Sequence, residues 1–563
     1  MNSKNIRRTR LGVSVPATIA AAAGMLLLSS CNPAPKYAKP PVNAPQAFKE
    51  SAPDQFKEGQ GWKVAQPGDD KIRGKWWELF NDPVLNVLEE QVQINNQTVI
   101  QAEANYRAAR ALVVSARSGL FPTVTASPAY TNARFSSTTR TSVVTGTGTT
   151  GSTGTTLTGG SSSIINTFTL PFEVTYTADF WHRIRNQIAA NVYSAQASAA
   201  DVATATLSTN AALAEDYFEI RALDAQEGVL QETLKNYRDT LNLVLTLFHS
   251  GIDSDEDVAQ AQTQLDTAIA QATDIGVARA QYEHAIATLI GKPAAEFSVA
   301  VAPFVPNPPT VPVAIPSELL ERRPDIAVAE RQVAAANALI GVERAAYYPN
   351  LTLSATGGLE SSHITQWFTW PSHFWSLGPT LSQTLLDFGA RRGANEQVEA
   401  QYDAAVANYR QTVLADFQGV EDQLSSLRIY AEEIGQYDTA IRSSSRFLEL
   451  SLARYKAGVD SYLNVITAQN TVLTNRETQV QTQLKQMTAS VALIMALGGG
   501  WDISQLPQIQ NMTGKHGKWS PANGNGIVPG PVAPANPPVV PPIPLPSNQT
   551  TPVKTSDQTG TNH

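Results

Sequence analysis

The side chains most able to do chemistry are few and scattered. One cysteine, Cys31, and seven histidines (His182, His249, His284, His363, His373, His516 and His563) stand in a chain of 563 residues. No His-Glu-x-x-His spacing occurs, and a zinc site built on His363 and His373 would have two ligands in one loop, short of a tetrahedral set. Gly146-x-Gly148-x-x-Gly151 has the letters of a dinucleotide fingerprint but lies in a Gly- and Thr-rich tract with no helix opening at the right place, so it reads as a flexible loop. No nucleophile, base and orienting group fall together. The chain is therefore expected not to be an enzyme and to need no metal or cofactor. Its net charge of −8, without Lys/Arg clusters, argues against nucleic acid, since phosphate neutralisation needs grouped cations.

The lone thiol has a different chemistry. Lys4, Arg7, Arg8 and Arg10 precede an apolar stretch, Ala17 to Leu28, that is too short to span a bilayer, for which about 20 residues are needed. Leu28-Ser29-Ser30-Cys31 follows and resembles a bacterial lipobox, in which the Cys thiol is acylated and becomes the mature N-terminus. Cys31 is thus the expected lipidation site, carrying a covalent lipid such as palmitate. Asn32 is not the aspartate that usually holds lipoproteins at the inner membrane. With one cysteine, disulfides are excluded. Loss of the four cations takes the net charge from −8 to −12.

Elements that would position these groups are marked off by proline. None of the 35 prolines falls between Phe172 and Lys292 or between Thr380 and Leu506. The divisions read as a signal peptide (1–30), an extended strap (31–70), a first repeat (71–302), a Pro-rich linker (303–316), a second repeat (317–508) and a Pro-rich tail (509–563) whose composition cannot bury a core. The repeat is visible in single residues. Gly251-Ile252-Asp253-Ser254 returns as Gly458-Val459-Asp460-Ser461, 207 residues on (458 − 251), and Ala261-Gln262 returns as Ala468-Gln469 at the same offset. Phe121-Pro122 pairs with Tyr348-Pro349 at 227 (348 − 121), because the first repeat carries the Gly/Thr-rich insertion, 145–160.

Each repeat is expected to run helix, two strands, very long helix, helix. Phe168, Leu170, Phe172, Val174 and Tyr176 alternate with Thr167, Thr169, Glu173, Thr175 and Thr177. Leu351, Leu353, Ala355 and Leu359 alternate with Thr352, Ser354, Thr356 and Glu360, and Trp375, Leu377 and Leu381 with Ser376, Thr380 and Ser382. The strand near Val124–Tyr130 is patterned more weakly. Runs of about ten residues suit transmembrane β-strands, and Trp367, Phe368, Trp370, Phe374 and Trp375 are expected to cluster as an interfacial girdle at one hairpin tip. No stop signal interrupts Arg183 to His249 or Ala390 to Lys456, so each stretch would reach roughly 100 Å at about 1.5 Å per residue. Leu230, Leu234, Tyr237, Leu241, Val244 and Phe248, and likewise Val420, Leu424 and Leu427, keep coiled-coil spacing. Four strands cannot cross a membrane as an open sheet, because both edges would leave backbone groups unpaired in hydrocarbon. Closure requires further copies.

The ordered set Trp76-Trp77-Glu78-Leu79-Phe80-Asn81-Asp82-Pro83, Glu321-Arg322-Arg323-Pro324-Asp325-Ile326, Tyr348-Pro349, Asp387-Phe388-Gly389-Ala390-Arg391-Arg392 and Arg454-Tyr455-Lys456-Ala457-Gly458 resembles the TolC-like outer-membrane efflux family, in its lipoprotein branch typified by OprM and NodT. The resemblance covers about 70–510. It implies an α+β membrane protein: a homotrimer with a 12-stranded β-barrel, four strands per chain, on a periplasmic tunnel of long helices. It implies an outer-membrane exit duct for small molecules, meeting a periplasmic adaptor and an inner-membrane RND pump. A duct for proteins from an ABC exporter, and a pore-less coiled-coil scaffold, are the alternatives. The lipobox argues against the first; the alternating strands and aromatic tip argue against the second.

The resemblance also places a gate. Asp257 matches a gate-locking aspartate, Tyr455 the tyrosine that bonds it, and Leu463 an apolar constriction ring. Such a bond would contribute about 1.5–3 kcal/mol, weak enough for a docking partner to break. Asn464 and Thr467 stand where the family often has acidic rings, so a less negative constriction is expected, with Asp253, Asp255 and Asp460 supplying local charge. Gly251, Asp253, Ser254, Gly458, Asp460 and Ser461 are the expected adaptor-contact tips.

Overall fold

A computed structural model describes residues 32–42, 45, 48–50, 74–134, 164–309 and 320–508. The signal peptide, Cys31, the Gly/Thr-rich insertion, the end of the linker and the Pro-rich tail lie outside the described residues.

After a 3₁₀ turn (Trp76–Phe80) the elements are α1 (Pro83–Asn95), α2 (Gln97–Ser118), β1 (Thr123–Ala126), β2 (Ala129–Arg134), β3 (Ile164–Ala178), α3 (Arg183–His249), α4 (Asp255–Leu289), α5 (Pro324–Ala345), β4 (Asn350–Ser361), β5 (His373–Ser382), α6 (Ala390–Lys456) and α7 (Tyr462–Ala496). Helices α2 and α5 have 22 residues each, α3 and α6 have 67, and α4 and α7 have 35. Equal lengths in the same order make the two repeats structural copies. At about 1.5 Å per residue, α3 and α6 are each about 100 Å long. No described helix is long and apolar enough to cross a membrane.

The shorter helices stack end to end to match the long ones. Asn96 caps α2 by accepting the N–H groups of Thr98 (2.9 Å) and Val99 (3.1 Å), and its amide donates to the Leu289 carbonyl at the end of α4 (2.7 Å). In the second repeat Arg323, just before α5, donates to the Ala496 carbonyl that ends α7 (2.9 Å) and pairs with Asp325 and Asp416. The glycines past these ends, Gly291 (φ +70) and Gly498 (φ +90), close left-handed caps and lie against backbone. A Cβ would come within 2.6 Å of the Asn95 carbonyl oxygen at the first and 2.2 Å of the Arg322 carbonyl oxygen at the second. Long helix α3 packs on both stacks and α6 on the α5/α7 stack. The helices thus form one layer, ordered α2/α4 stack, α3, α5/α7 stack, α6, with no further described helix on either side.

The sheet has the same plan. β3 pairs antiparallel with β4 and β4 with β5, while β1 and β2 both pair with β3 in one continuous register. They are one strand interrupted at Ser127-Pro128, where proline has no N–H to donate. The apolar residues line up across strands: Val124, Val174, Ala355 and Leu377 on one level, and Ala126, Phe172, Gly357 and Trp375 on another. Thr125, Glu173, Thr356 and Ser376 form the opposite face. Gly358 is needed where β4 crosses β3, because a Cβ there would meet the Leu170 carbonyl oxygen at 2.2 Å. The outer edges of β1/β2 and β5 are unpaired among the described residues.

The aromatic tip differs from expectation. Trp367 and Phe368 pack together (4.8 Å between rings) and continue onto Phe168 (5.6 Å) and Tyr130 (4.7 Å to Phe168), two residues of the first repeat. Trp370 instead stacks on His373 (5.2 Å), and the alternation of β5 turns Phe374 to the face opposite Trp375.

Residues 32–50, where described, form no helix or strand and lie along the helices. Asn337 donates to the Pro35 carbonyl (3.0 Å), Tyr37 donates to Glu330, and Glu421 accepts the N–H groups of Lys49 (2.6 Å) and Glu50 (2.8 Å).

Candidate functional site at the helical tips

The turns from α3 to α4 and from α6 to α7 are built alike. Gly251 (φ +73) and Gly458 (φ +71) adopt the left-handed conformation that terminates a helix. Ile252 N–H then reaches the Leu247 carbonyl (3.0 Å), and Val459 N–H the Arg454 carbonyl (3.0 Å). Beneath the turns Val244, Ala261, Tyr455, Tyr462 and Val465 form one apolar cluster that joins both hairpins of the chain.

The polar wiring is not alike. At the first tip Ser254 and Asp257 form a capping box: Asp257 N–H donates to Ser254 Oγ (3.2 Å), and the Asp257 carboxylate accepts from Ser254 N–H (3.3 Å) and Oγ–H (2.8 Å). This corrects the expected lock. Asp257 is held by its own helix end and Tyr455 does not bond it; the Tyr455 hydroxyl donates to Asp253 instead. The reason is spacing: an aspartate three residues after an N-cap serine closes a local ring, leaving the preceding turn aspartate to face the other hairpin. Burial, then the bond to Asp253, raises the Tyr455 pKa well above the usual phenol value. Burial also pushes Tyr462 up to about 12.

At the second tip Ser461 makes no side-chain cap. Asn464, in the position matching Asp257, donates to Asp460, which also pairs with the exposed Arg454 (3.3 Å). Thr467 bonds back to the Leu463 carbonyl (2.9 Å), and Leu463 itself is 60% exposed. The structure therefore brings together Tyr455, Asp253, Tyr462 and Val465, leaves Leu463 on an open surface, and engages Asn464 and Thr467 locally. Asp253 as the tyrosine's partner was missed. Its signal was the 207-residue offset, which pairs Asp253 with Asp460 and Asp257 with Asn464 and so marks the two tips as unequal.

The remaining motifs form joints. Trp76 and Trp77 are buried in the core between α3, α4 and α7. Asp82 caps α1 at Val84 N–H (2.9 Å) and accepts the Tyr217 hydroxyl (2.6 Å). Trp181 stacks on Tyr348 (4.6 Å) and donates to the Pro349 carbonyl (2.8 Å), tying the top of α3 to the start of β4. No group of three or more metal-ligating residues occurs among the described residues.

A four-wide open sheet on a four-wide layer of 100 Å helices defines a class of envelope channel subunits. The sequence matches the family model "Outer membrane efflux protein" over residues 88–292 and 315–499. It is 30% identical to the pyoverdine export outer membrane protein OpmQ of Pseudomonas aeruginosa, over 84% of this chain and 95% of the relative. It is 29% identical to the solvent efflux pump outer membrane protein SrpC of Pseudomonas putida, over 85% of this chain and 98% of the relative. The solved outer-membrane channel OprN superposes with a TM-score of 0.70 at 26% identity, covering 84% of this chain and all of that one. The Campylobacter jejuni CmeC outer membrane channel shares the fold, with a TM-score of 0.72. The chain belongs to the outer membrane efflux protein family and is a protein of the outer membrane.

Proposed function

We propose that three copies of this chain assemble into the exit duct of a tripartite efflux system. The observation that carries this reading is the pair of matching open edges. Among the described residues both layers are four units wide and no further strand or helix covers their edges, and the sheet exposes an apolar face that includes Trp375 (73%), Leu377 (74%) and Leu381 (67%). In hydrocarbon the unpaired backbone of each edge would cost several kcal/mol per group, so edge meets edge in a neighbouring copy. Two copies would give eight strands and a lumen filled by side chains; three give twelve and a pore. The strands then form the barrel, the helices form a tunnel through the periplasm, and acylated Cys31 anchors the strap in the outer membrane.

The tips close the tunnel. Tyr455 and Asp253 hold the two hairpins of one chain together above the apolar cluster, and Leu463 lines the constriction. Gly251, Ser254, Gly458, Asp460 and Ser461 present the ends to a periplasmic adaptor, and an RND pump loads the duct. Relatives named for pyoverdine, solvent and toluene export support small-molecule cargo. The test is reconstitution of the full-length protein in planar bilayers. An SDS-resistant trimer with low conductance, raised by Tyr455→Phe, is expected; a monomer without conductance would end the duct reading.

A further inference from the structure

The corner where the helices meet the sheet differs between the repeats. In the second repeat its three arginines are each neutralised: Arg344 by Glu399 (2.9 Å), Arg391 by Asp387, and Arg392 by Glu396 (2.8 Å). The first repeat carries Arg117, Arg183 and Arg185 at the corresponding corner, and none has an acidic side-chain partner among the described residues; Arg185 contacts the ring nitrogen Nε2 of His182 (3.1 Å). The positions of Glu396 and Glu399 are occupied there by Ala189 and Val192 (396 − 207 and 399 − 207). Asp179 accepts the backbone N–H groups of Ile184 (3.0 Å) and Arg185 (3.1 Å) and not a guanidinium group. Arg183 and Arg185 are exposed.

Arg117 stands at the end of α2, and Arg183 and Arg185 at the adjoining start of α3. The ends of α2 and α3 touch: a Cβ on Gly119 would lie 3.4 Å from the Ile184 side chain. β1 begins at Thr123 and β3 ends at Ala178, each a few residues away, so the patch lies at the rim of the sheet. The strap begins here too, with Asn32 Oδ1 accepting from the Asn186 amide (3.1 Å) one turn into α3.

We propose that Arg117, Arg183 and Arg185 form a binding site for the headgroup of an anionic phospholipid in the periplasm-facing leaflet of the outer membrane. This rests on the reading that the sheet is the membrane-embedded part. Guanidinium groups suit phosphate, through paired N–H donors. A cation beside an anionic leaflet is drawn to it, with an attraction that falls off within a Debye length. The chain thus reads its lipid on one face per copy, because only the first repeat lacks the acids that quench the corner.

Native mass spectrometry of the full-length protein, loaded with phosphatidylglycerol and phosphatidylethanolamine of matched acyl chains, tests this. Wild type should retain phosphatidylglycerol preferentially. Arg117→Gln/Arg183→Gln/Arg185→Gln should lower that preference roughly a hundredfold, at about fivefold per contact. Glu396→Gln/Glu399→Gln, which frees Arg392 and Arg344, should raise it and stands as an independent arm if the triple variant does not assemble. An unchanged preference in either variant overturns the site. Full displacement of the lipid by millimolar inorganic phosphate overturns the lipid assignment in favour of a free anion. A wild type that forms trimers without lipid preference overturns this site alone, whereas a wild type that forms no SDS-resistant trimer overturns the barrel reading.

Discussion

The two helical tips have the same backbone and opposite wiring. Both turn on a left-handed glycine followed by an Asp-Ser pair, yet the first is closed by its own capping box and reaches across to the second hairpin, while the second is held by an exposed ion pair within itself. A duplicated fold therefore divides the labour: one tip is a rigid, capped end that supplies Asp253, and the other supplies Tyr455 to hold it. The same inequality recurs higher up. Glu215, Asp216 and Glu219 sit together on α3, whereas the positions 207 residues on hold Asp422, Gln423 and Ser426.

The largest effect should come from breaking what the repeats share. Gly291→Ala or Gly498→Ala puts a Cβ into backbone at a positive φ, and each should destabilise the protein by about 2–4 kcal/mol. Thermal unfolding followed by circular dichroism should show similar losses for both; a tolerated alanine at either site would deny that the stacked-helix junction is tight.

Next is the contact the tips do not share. Tyr455→Phe leaves Asp253 without its donor, at about 1.5–3 kcal/mol. Arg454→Ala at the second tip removes a pair whose arginine side chain is 62% exposed, worth well under about 1 kcal/mol. Closed-state conductance should rise in the first variant and hardly in the second; the reverse order would move the lock to the second tip.

A smaller effect should follow from exchanging the caps. Asn464→Asp places an aspartate three residues after Ser461 but removes the donor to Asp460 and sets two carboxylates side by side, so it should cost the start of α7 about 0.5–1 kcal/mol, and Asp257→Asn should cost the start of α4 a similar amount. Amide exchange of the first turn of each helix measures both.

The last is a pH dependence, in which each repeat has its own raised carboxyl: Asp216 in the first and Asp416, pushed up to about 7 by burial, in the second. Burial, with Glu215 and Glu219 beside it, pushes Asp216 up to about 6. The folded state therefore holds this proton more tightly than the unfolded chain does. Its contribution is present below pH 4 and is lost as pH rises through 6. Asp216→Asn should flatten that part of the stability profile between pH 4 and 6, and Gln423→Ala should leave it intact.

The sequence by itself determined the elements and their duplication. α3 and α6 each lie within a proline-free stretch and stop just before the repeated Gly-x-Asp-Ser turns, because a helix carries its hydrogen bonds within its own segment until a left-handed glycine ends it. The alternation in β3, β4 and β5 likewise foretold which residues share a face. Tertiary structure alone decided which side chains meet across elements. Tyr455 and Asp253 are 202 residues apart, and no local pattern distinguishes Asp253 from Asp257 until the capping box has claimed the latter. Phe168 and Tyr130 join the aromatic tip because strand register carries them there, and Arg323 and Asn96 hold equivalent junctions by different chemistry. Periodicity records a helix or strand face because neighbours in the chain share it, whereas partners hundreds of residues apart are chosen by packing.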